Sequence, residues 1–255
     1  MTATLFDADR PLNMAHRGAS YDAPENTLPA FRLAAEMGAD GIELDAQLSK
    51  DGEVVIIHDF HLDTTTNGRG PVKDKTLADL KILDAGSHFD EAFAGAEIPT
   101  LAELFTAMGP VLLYNIELKT MSLRNEGLEA EVIRLIEDYN LQDRAMVSSF
   151  NPLALMRAYR LNPNIKRGLL WSPKLPVYLR WQLFRWAARP DMFHPHWEAT
   201  TPALVKKEHD RGLQVNVWTC NDPDPMRRLI RMGVDAVMTD RPDLLKQAIN
   251  DVKGR

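Results

Sequence analysis

Glu43 and Asp45 stand two residues apart in the short apolar segment 41–45, and this spacing could support chemistry. In a β-strand, side chains at positions i and i+2 point to the same face, so the two carboxylates would converge on one spot. Carboxylates that close repel each other, and they persist together mainly where a cation or a shared proton offsets the repulsion. The pair therefore predicts a site at the end of this segment that holds a cation or a proton.

Three other short segments place acids, histidines and cations at the ends of apolar stretches. Their residues are His16, Arg17, His58, Asp59, Glu117 and Lys119. Together with Glu43 and Asp45, Glu117 would make a set of three hard oxygen ligands without a thiolate, which favours Mg²⁺ or Ca²⁺ over Zn²⁺. The sequence therefore predicts a site for one divalent cation, held by these three acids.

The remaining residues of these segments have the properties that phosphodiester cleavage requires. One base must activate the attacking oxygen and one acid must protonate the leaving alkoxide, and histidine titrates in the right range for both. His16 and His58 are therefore the predicted proton carriers. Arg17 and Lys119 are suited to bind phosphate oxygens, Arg by its fork and Lys as a point charge.

Each of these residues also has a structural interpretation. Glu43 could pair with Lys119 or Arg17 as a buried salt bridge without a metal, because buried charges are usually paired. Either histidine could be a core residue with its hydrogen bonds satisfied. A single metal ion would explain at once why three acids converge, which favours the functional interpretation for the whole set.

Strand-like and helix-like segments alternate along almost the entire chain. Eight candidate strands cover 13–15, 41–48, 111–118, 145–149, 165–170, 192–194, 214–218 and 236–239. Candidate helices cover 27–37, 100–108, 127–139, 152–160, 202–211, 223–232 and 242–249, and Asn26 could cap the first of them. This alternation favours a (β/α)₈ barrel, an α/β fold whose working groups lie at the carboxyl ends of the strands. A doubly wound open sheet is the competing fold, but the first strand is not followed by its glycine-rich phosphate loop.

Two segments interrupt the alternation after the second strand. Residues 53–58 read as an extra strand that forms a hairpin with 41–48 through the turn-like sequence 49–52. Residues from about 60 to 99 are too many for a simple connection, so we expect an insertion at the mouth of the barrel. Trp218 ends another strand, where its ring could pack either on the carbon chain of a substrate or on the top of the barrel.

Composition limits the class of protein. The 255 residues are 45% hydrophobic and contain no composition break, which favours a single domain over 1–255. A net charge of -6 argues against a nucleic-acid partner. The single cysteine, Cys220, fits a reducing compartment. Because neither a secretory signal nor a membrane-spanning stretch is visible, we expect a cytoplasmic protein, whose oligomeric state stays open.

The stretch 164–190 has six basic residues, five aromatic residues and no acid. A helix over 179–189 would place Gln182, Arg185 and Arg189 on one face. Such a helix could contact a lipid surface through the region 171–190. An amphipathic helix more often packs on the body of the protein, and that alternative is open here.

The ordered motifs of residues 12–245 resemble the glycerophosphodiester phosphodiesterase family of bacterial type. They include 16–20 (HRGAS), 24–27 (PENT), 43–45 (ELD), 58–59 (HD), 116–119 (IELK) and 239–242 (TDRP). The resemblance implies a (β/α)₈ barrel with a small insertion after the second strand. It also implies metal-dependent hydrolysis of glycerophosphodiesters to glycerol 3-phosphate and an alcohol.

By the same resemblance, Glu43, Asp45 and Glu117 are metal ligands, His16 and His58 form the acid–base pair, and Arg17 and Lys119 bind phosphate. Two other functions remain open. A lysophospholipase D-type or cyclising phosphodiesterase acting on lipids would keep the same site. A non-catalytic protein could also keep the barrel, although such proteins usually lose an acid or a histidine, and none is lost here.

Overall fold

Eight parallel strands form a closed barrel in the computed structural model, which describes residues 9–120, 122–180 and 184–254. The strands are β1 (Leu12–His16), β2 (Gly41–Leu48), β3 (Val54–Ile56), β4 (Leu113–Leu118), β5 (Ala145–Ser149), β6 (Lys166–Trp171), β7 (Met192–Pro195), β8 (Gln214–Val217) and β9 (Ala236–Thr239). All except β3 belong to the barrel, and the pairing of β1 with both β9 and β2 closes the ring. The predicted (β/α)₈ fold is confirmed.

Helices lie between the barrel strands and cover its outer face. They are α1 (Leu28–Glu36), α2 (Leu77–Lys81), α3 (Leu101–Met108), α4 (Leu128–Asp138), α5 (Pro152–Leu161), α6 (Val177–Arg180), α7 (Arg185–Ala188), α8 (Pro202–His209), α9 (Pro223–Arg231) and α10 (Pro242–Lys253). Proline occupies the first turn of five of them, α1, α5, α8, α9 and α10, where its missing N–H costs nothing.

The residue that caps α1 is Thr27. The prediction that Asn26 caps this helix is wrong. The Thr27 hydroxyl accepts a hydrogen bond from the backbone N–H of Ala30 at 3.5 Å. Asn26 has a positive φ of 59° and directs its side chain away from the helix, toward the barrel. The contact of Asn26 with Asp45, which is distant in sequence, therefore leaves the cap of α1 to the next residue.

The residues of β2 alternate between the two faces of the barrel wall. Ile42, Leu44 and Ala46 belong to the large apolar cluster between the barrel and its helices. Glu43 and Asp45 are buried on the opposite, inner face. The apolar residues of β2 pack against the surrounding helices. Because side chains alternate along a strand, the acids between them point into the barrel, as the spacing in the sequence predicted.

The barrel interior becomes more polar from the amino ends of the strands to their carboxyl ends. Its apolar layer consists of Leu12, Met14, Leu113, Met146, Met192, Ala236 and Met238. One step further along the strands, Asn115, Ser148, His194 and Asn216 are buried. Burial lowers the pKa of His194 to about 3, so this histidine is neutral. The charged residues of β1, β2 and β4 lie beyond this uncharged polar layer.

The extra strand β3 explains how the insertion joins the barrel. β1 pairs with β2 as far as the partners His16 and Glu43, and β3 then pairs antiparallel with the same edge of β2 from Ala46 onward. The insertion after β3 has a small core of its own. That core consists of Val55, Ile57, Leu62, Val72, Leu80, Ala85 and Ile98. The predicted insertion after the second strand is confirmed.

Two local predictions differ from the structure. The segment 111–118 becomes a strand only from Leu113, because Gly109–Val111 forms a 3₁₀ turn and Val111 is exposed. In the region 179–189, Leu179 and Arg180 end α6, a separate helix α7 begins only at Arg185, and Phe184 before it has a non-helical backbone. Trp181 and Gln182 of that prediction lie outside the described residues.

Arg185 of this region forms an ion pair with the buried Glu208 and lies over the ring of Phe193, 5.0 Å from its centroid. The segment therefore packs on the barrel through Arg185, while Tyr178 and Trp186 are exposed. Contact of 171–190 with a membrane stays a prediction. Among the described residues, the helices are too short or too polar to cross a bilayer. The single domain over 1–255 and the cytoplasmic location also stay predictions.

Gly168 in β6 leaves space for His194, and a variant can test this packing. A Cβ at position 168 would lie 2.5 Å from His194 Nε2. We expect Gly168→Ala to lower the free energy of unfolding by about 1–3 kcal/mol, as overpacked cores do. In a His194→Ala background the same change should cost at least about 1 kcal/mol less, because the clashing ring is gone. Denaturant unfolding of the four proteins measures both costs, and equal costs would contradict the proposed clash.

Candidate active site

Three carboxylates meet at the carboxyl end of the barrel. Glu43 and Asp45 come from β2, and Glu117 comes from the neighbouring β4, where it is the register partner of Asp45. One oxygen from each residue lies within 4.8 Å of the other two. Glu43 and Asp45 are almost fully buried, and the side chain of Glu117 is 11% exposed. The predicted convergence of these acids is therefore present in the structure.

Burial and mutual repulsion disturb the ionisation of these acids. Burial, followed by the charge of Asp45, raises the pKa of Glu43 well above its usual range. Burial also raises the pKa of Glu117, and the charge of Lys119 only partly opposes it. For Asp45, burial is outweighed by Lys119 and Arg17, and its pKa is lowered. Three negative charges in this space therefore require more positive charge than the two neighbouring side chains supply.

The donor set fits a hard divalent cation. Oxygens bound to one Mg²⁺ or Ca²⁺ at about 2.0–2.6 Å stand at most roughly 4–5 Å apart, which matches the spread of these carboxylates. Asp45 Oδ1 is buried and has no hydrogen-bond partner among the described residues. Within the described part of the chain, its one ion-pair contact is with Lys119 Nζ at 3.4 Å. Because a buried oxygen without a hydrogen bond is costly, a bound metal cation would stabilise this atom further.

Arg17 and Lys119 both contact the acids. The Nε atom of Arg17 lies 3.3 Å from Asp45 Oδ2, and its Nη1 donates to Glu25 at 3.0 Å and 3.1 Å. The Nζ atom of Lys119 lies 3.2 Å from Glu117 Oε1 and 3.4 Å from Asp45 Oδ1. Salt bridges therefore join Arg17 to Asp45 and Lys119 to Asp45 and Glu117. The predicted pairing of Glu43 with either side chain is not found among the described residues; Glu43 accepts a hydrogen bond only from the backbone N–H of Arg17, at 3.2 Å. Arg17 and Lys119 each follow the last residue of a barrel strand, so both lie at the barrel mouth.

His16 ends β1 and is held by an aspartate that the sequence analysis did not assign to the site. Its Nδ1 lies 2.7 Å from Asp240 Oδ1, and its Nε2 lies 3.9 Å from Glu43 Oε2. Burial lowers the pKa of His16, but the hydrogen bond to Asp240 and the charge of Glu43 outweigh it and raise the pKa. Asp240 also accepts hydrogen bonds from Ser20 at 3.0 Å and Asn221 at 2.5 Å. The position of Asp240 directly after β9 was the available signal for its role.

His58 reaches the site from the insertion side and not from a barrel strand. Its Nδ1 lies 2.7 Å from Asp59 Oδ1. Burial lowers the pKa of His58, and the charge of Asp45 opposes this effect. The buried amide of Gln47 donates to the carbonyl oxygens of Ile57, His58 and Asp59 at 2.8, 3.1 and 2.9 Å. Gln47 therefore anchors the chain around His58 to β2.

Asn26 holds Asp45 by two hydrogen bonds. Its Nδ2 donates to Asp45 Oδ2 at 2.8 Å, and its Oδ1 accepts from the backbone N–H of Asp45 at 3.3 Å. The local sequence predicted a helix cap at Asn26 and gave no sign of this contact. Asn26 thus supports Asp45, and Gln47 supports the chain around His58.

Trp218 lies at the mouth directly after β8. Its Nε1 donates to the carbonyl oxygen of His194 at 2.7 Å, and its ring packs edge-on against Phe150 with centroids 5.4 Å apart. The ring also contacts the apolar layer inside the barrel. These contacts fit the packing interpretation of Trp218, and its contact with a substrate stays a prediction.

Comparison with known proteins adds an independent line of support. The model of the glycerophosphoryl diester phosphodiesterase family matches residues 16–244. The chain is 43% identical over 239 residues to a glycerophosphodiester phosphodiesterase of Caldanaerobacter subterraneus subsp. tengcongensis, covering 92% of this chain and 96% of the relative. It is 35% identical to a glycerophosphodiester phosphodiesterase of Bacillus subtilis, covering 94% of this chain and 87% of that protein.

Solved structures give the same result. A phosphodiesterase of Oleispira antarctica, solved in complex with the product sn-glycerol-3-phosphate, matches with a TM-score of 0.87 and 34% identity. The match covers 94% of this chain and 97% of that chain. The chain belongs to the glycerophosphoryl diester phosphodiesterase family and is an enzyme of that class.

Proposed function

We propose that the enzyme hydrolyses small glycerophosphodiesters to glycerol 3-phosphate and an alcohol, with a divalent cation and two histidines. The observation that carries this proposal is the convergence of Glu43, Asp45 and Glu117 within 4.8 Å, beside the Asp-bound His16. The Oleispira relative was solved with sn-glycerol-3-phosphate as its product, which supports the same product here.

Glu43, Asp45 and Glu117 would hold one Mg²⁺ or Ca²⁺ through hard oxygen ligands. When bound, such a cation stabilises the negative charge of the phosphate and of the attacking oxygen. Arg17 and Lys119 would bind the phosphate oxygens while they keep their contacts with the acids. Their positive charges lie at the open end of the barrel, so they can orient the diester before the bond breaks.

The two histidines are held in the same way. Each has its Nδ1 2.7 Å from an aspartate oxygen, His16 from Asp240 and His58 from Asp59. An aspartate on Nδ1 fixes the ring and leaves Nε2 for a substrate. One histidine would take a proton from the attacking oxygen, which belongs to water or to the glycerol hydroxyl of the substrate. The other would donate a proton to the oxygen of the departing alcohol.

The same groups could cleave lysophospholipids or form a cyclic phosphate. The named relatives are glycerophosphodiester phosphodiesterases, so we favour the smaller substrates. Product analysis with glycerophosphocholine and lysophosphatidylcholine side by side separates these reactions. Release of choline from the lysolipid at the higher rate would overturn our preference.

The histidine roles predict a large loss of turnover in single variants. His16→Ala and His58→Ala should each lower kcat by about 10²–10⁴-fold, because each removes one proton-transfer group. Circular dichroism should show an intact fold in both. A suitable control is His88→Ala, which changes an exposed histidine of the insertion. Normal turnover in either site variant would contradict its role.

The acid cluster predicts metal dependence. A chelator should abolish hydrolysis, and Mg²⁺ or Ca²⁺ should restore it. Loss of a residue that only supports a metal ligand weakens metal binding by about 10–100-fold. Asp45→Asn should weaken it by more, because this change affects a proposed ligand itself. Isothermal titration with each metal measures the affinity directly, and Glu36→Gln at the exposed end of α1 is the matched control. Full activity of the chelated enzyme would overturn the metal role.

Asp240 is predicted to act through His16. Asp240→Asn should lower kcat by roughly 10²-fold or more with little change in KM, because the ring loses the partner that fixes its orientation. The double variant with His16→Ala should be no slower than His16→Ala alone. Asp243→Asn, which changes a carboxylate on the surface of α10, is the control. Additive losses in the double variant would show that Asp240 acts elsewhere.

A further inference from the structure

A cavity of about 650 Å³ opens beside the acid cluster, between the insertion and the start of α4. Gln47 and Lys119 line its barrel side, and Phe60 and Lys73 line its insertion side. Its volume is suited to a small organic group. We call this space the side cavity.

The side cavity has a basic wall. Lys50 and Lys73 line it and are exposed, and within the described part of the chain neither has a carboxylate within ion-pair distance. Glu126 is the one acid among the described lining residues. The chain as a whole carries a net charge of -6, so two lysines that form no ion pair within the described residues are a local feature. Lys50 does lie within electrostatic range of Asp79, whose pKa is lowered by hydrogen bonds from Thr76 and, to a smaller extent, by the charge of this lysine.

Lys119 joins the side cavity to the proposed catalytic centre. Its Nζ lies 3.2 Å from Glu117 and 3.4 Å from Asp45, and the same residue lines the cavity. A phosphate held by Lys119 would therefore have the acids on one side and the side cavity on the other. One of the two ester substituents can enter the cavity without passing the acids.

We propose that the side cavity binds the alcohol portion of the substrate and favours alcohols that carry negative charge. The inference rests on the proposed function, because it assigns a place to one product of that reaction. Lys50 and Lys73 attract an anionic group and repel a cationic one. Cationic ammonium groups are usually bound by several aromatic rings. Among the described lining residues, Phe60 is the one benzene or indole ring.

Glycerophosphoserine and glycerophosphoethanolamine test the proposal because they differ by a single carboxylate. We expect kcat/KM to be about threefold to tenfold higher for the serine compound, as two exposed charge contacts allow. In the double variant Lys50→Gln/Lys73→Gln, this ratio of kcat/KM values should fall, because the cavity wall then lacks the two charges that distinguish the compounds. Added salt should lower the ratio in the unmodified enzyme, because these contacts are exposed and are screened.

Lys253→Gln is the matched control, since Lys253 is exposed and lies near Leu12 and Leu113 at the opposite end of the barrel. This variant should keep the ratio of the unmodified enzyme. A ratio that is equally high in the double lysine variant would overturn the side-cavity assignment. So would a preference of the unmodified enzyme for the ethanolamine compound.

The experiment also separates this inference from the proposed function. Hydrolysis of both compounds by the unmodified enzyme, with loss in His16→Ala, supports the proposed function whatever the ratio is. An unchanged ratio in that setting refutes the side cavity alone. If the glycerol end of the substrate occupies the cavity instead, KM rises equally for both compounds in the double lysine variant, and the assignment is again overturned. No hydrolysis of either compound overturns both proposals.

Discussion

The repulsion between Glu43, Asp45 and Glu117 is the constraint around which the site is arranged. These side chains point inward because their neighbours on β2 and β4 point outward and pack against the helices. Inside, burial makes each negative charge costly. Arg17 and Lys119 offset part of this cost, Asn26 donates to one oxygen of Asp45, and the other oxygen has no hydrogen-bond partner among the described residues. The arrangement leaves a deficit of positive charge, which a divalent cation can remove.

The supporting residues matter as much as the acids. Asp240 and Asp59 hold one ring nitrogen of His16 and His58, and Gln47 ties three consecutive carbonyl oxygens near His58 to β2. Such partners reduce the motion of groups that must stay in position during a reaction. They are drawn from β2, from the end of β9 and from the insertion. Residues that are distant in sequence therefore hold the two histidines in place together.

Strand periodicity made the acid cluster predictable from the sequence. The spacing of Glu43 and Asp45 fixed their common face, and the shared parallel register then brought Glu117 beside them. Contacts between distant segments were not predictable in this way. Asn26 looked like a helix cap until Asp45 was placed opposite its amide, and the partner of Arg185 in the 179–189 region is Glu208 of α8. Patterns within a segment fix its local form, whereas its partners depend on the assembled barrel.

The two histidines have different mechanical supports. His16 belongs to the barrel wall, whereas His58 comes after β3, which occupies the edge of β2 that β1 leaves free after His16. The backbone N–H of Ile57 donates to the carbonyl oxygen of Asp45 at 2.9 Å. Of the two proposed proton carriers, one thus belongs to the barrel wall, and the other is held to that wall through this hydrogen bond and the strand β3. Changes elsewhere in the insertion can therefore alter the entrance without disturbing the acid cluster, provided that the hydrogen bond from Ile57 to Asp45 is kept.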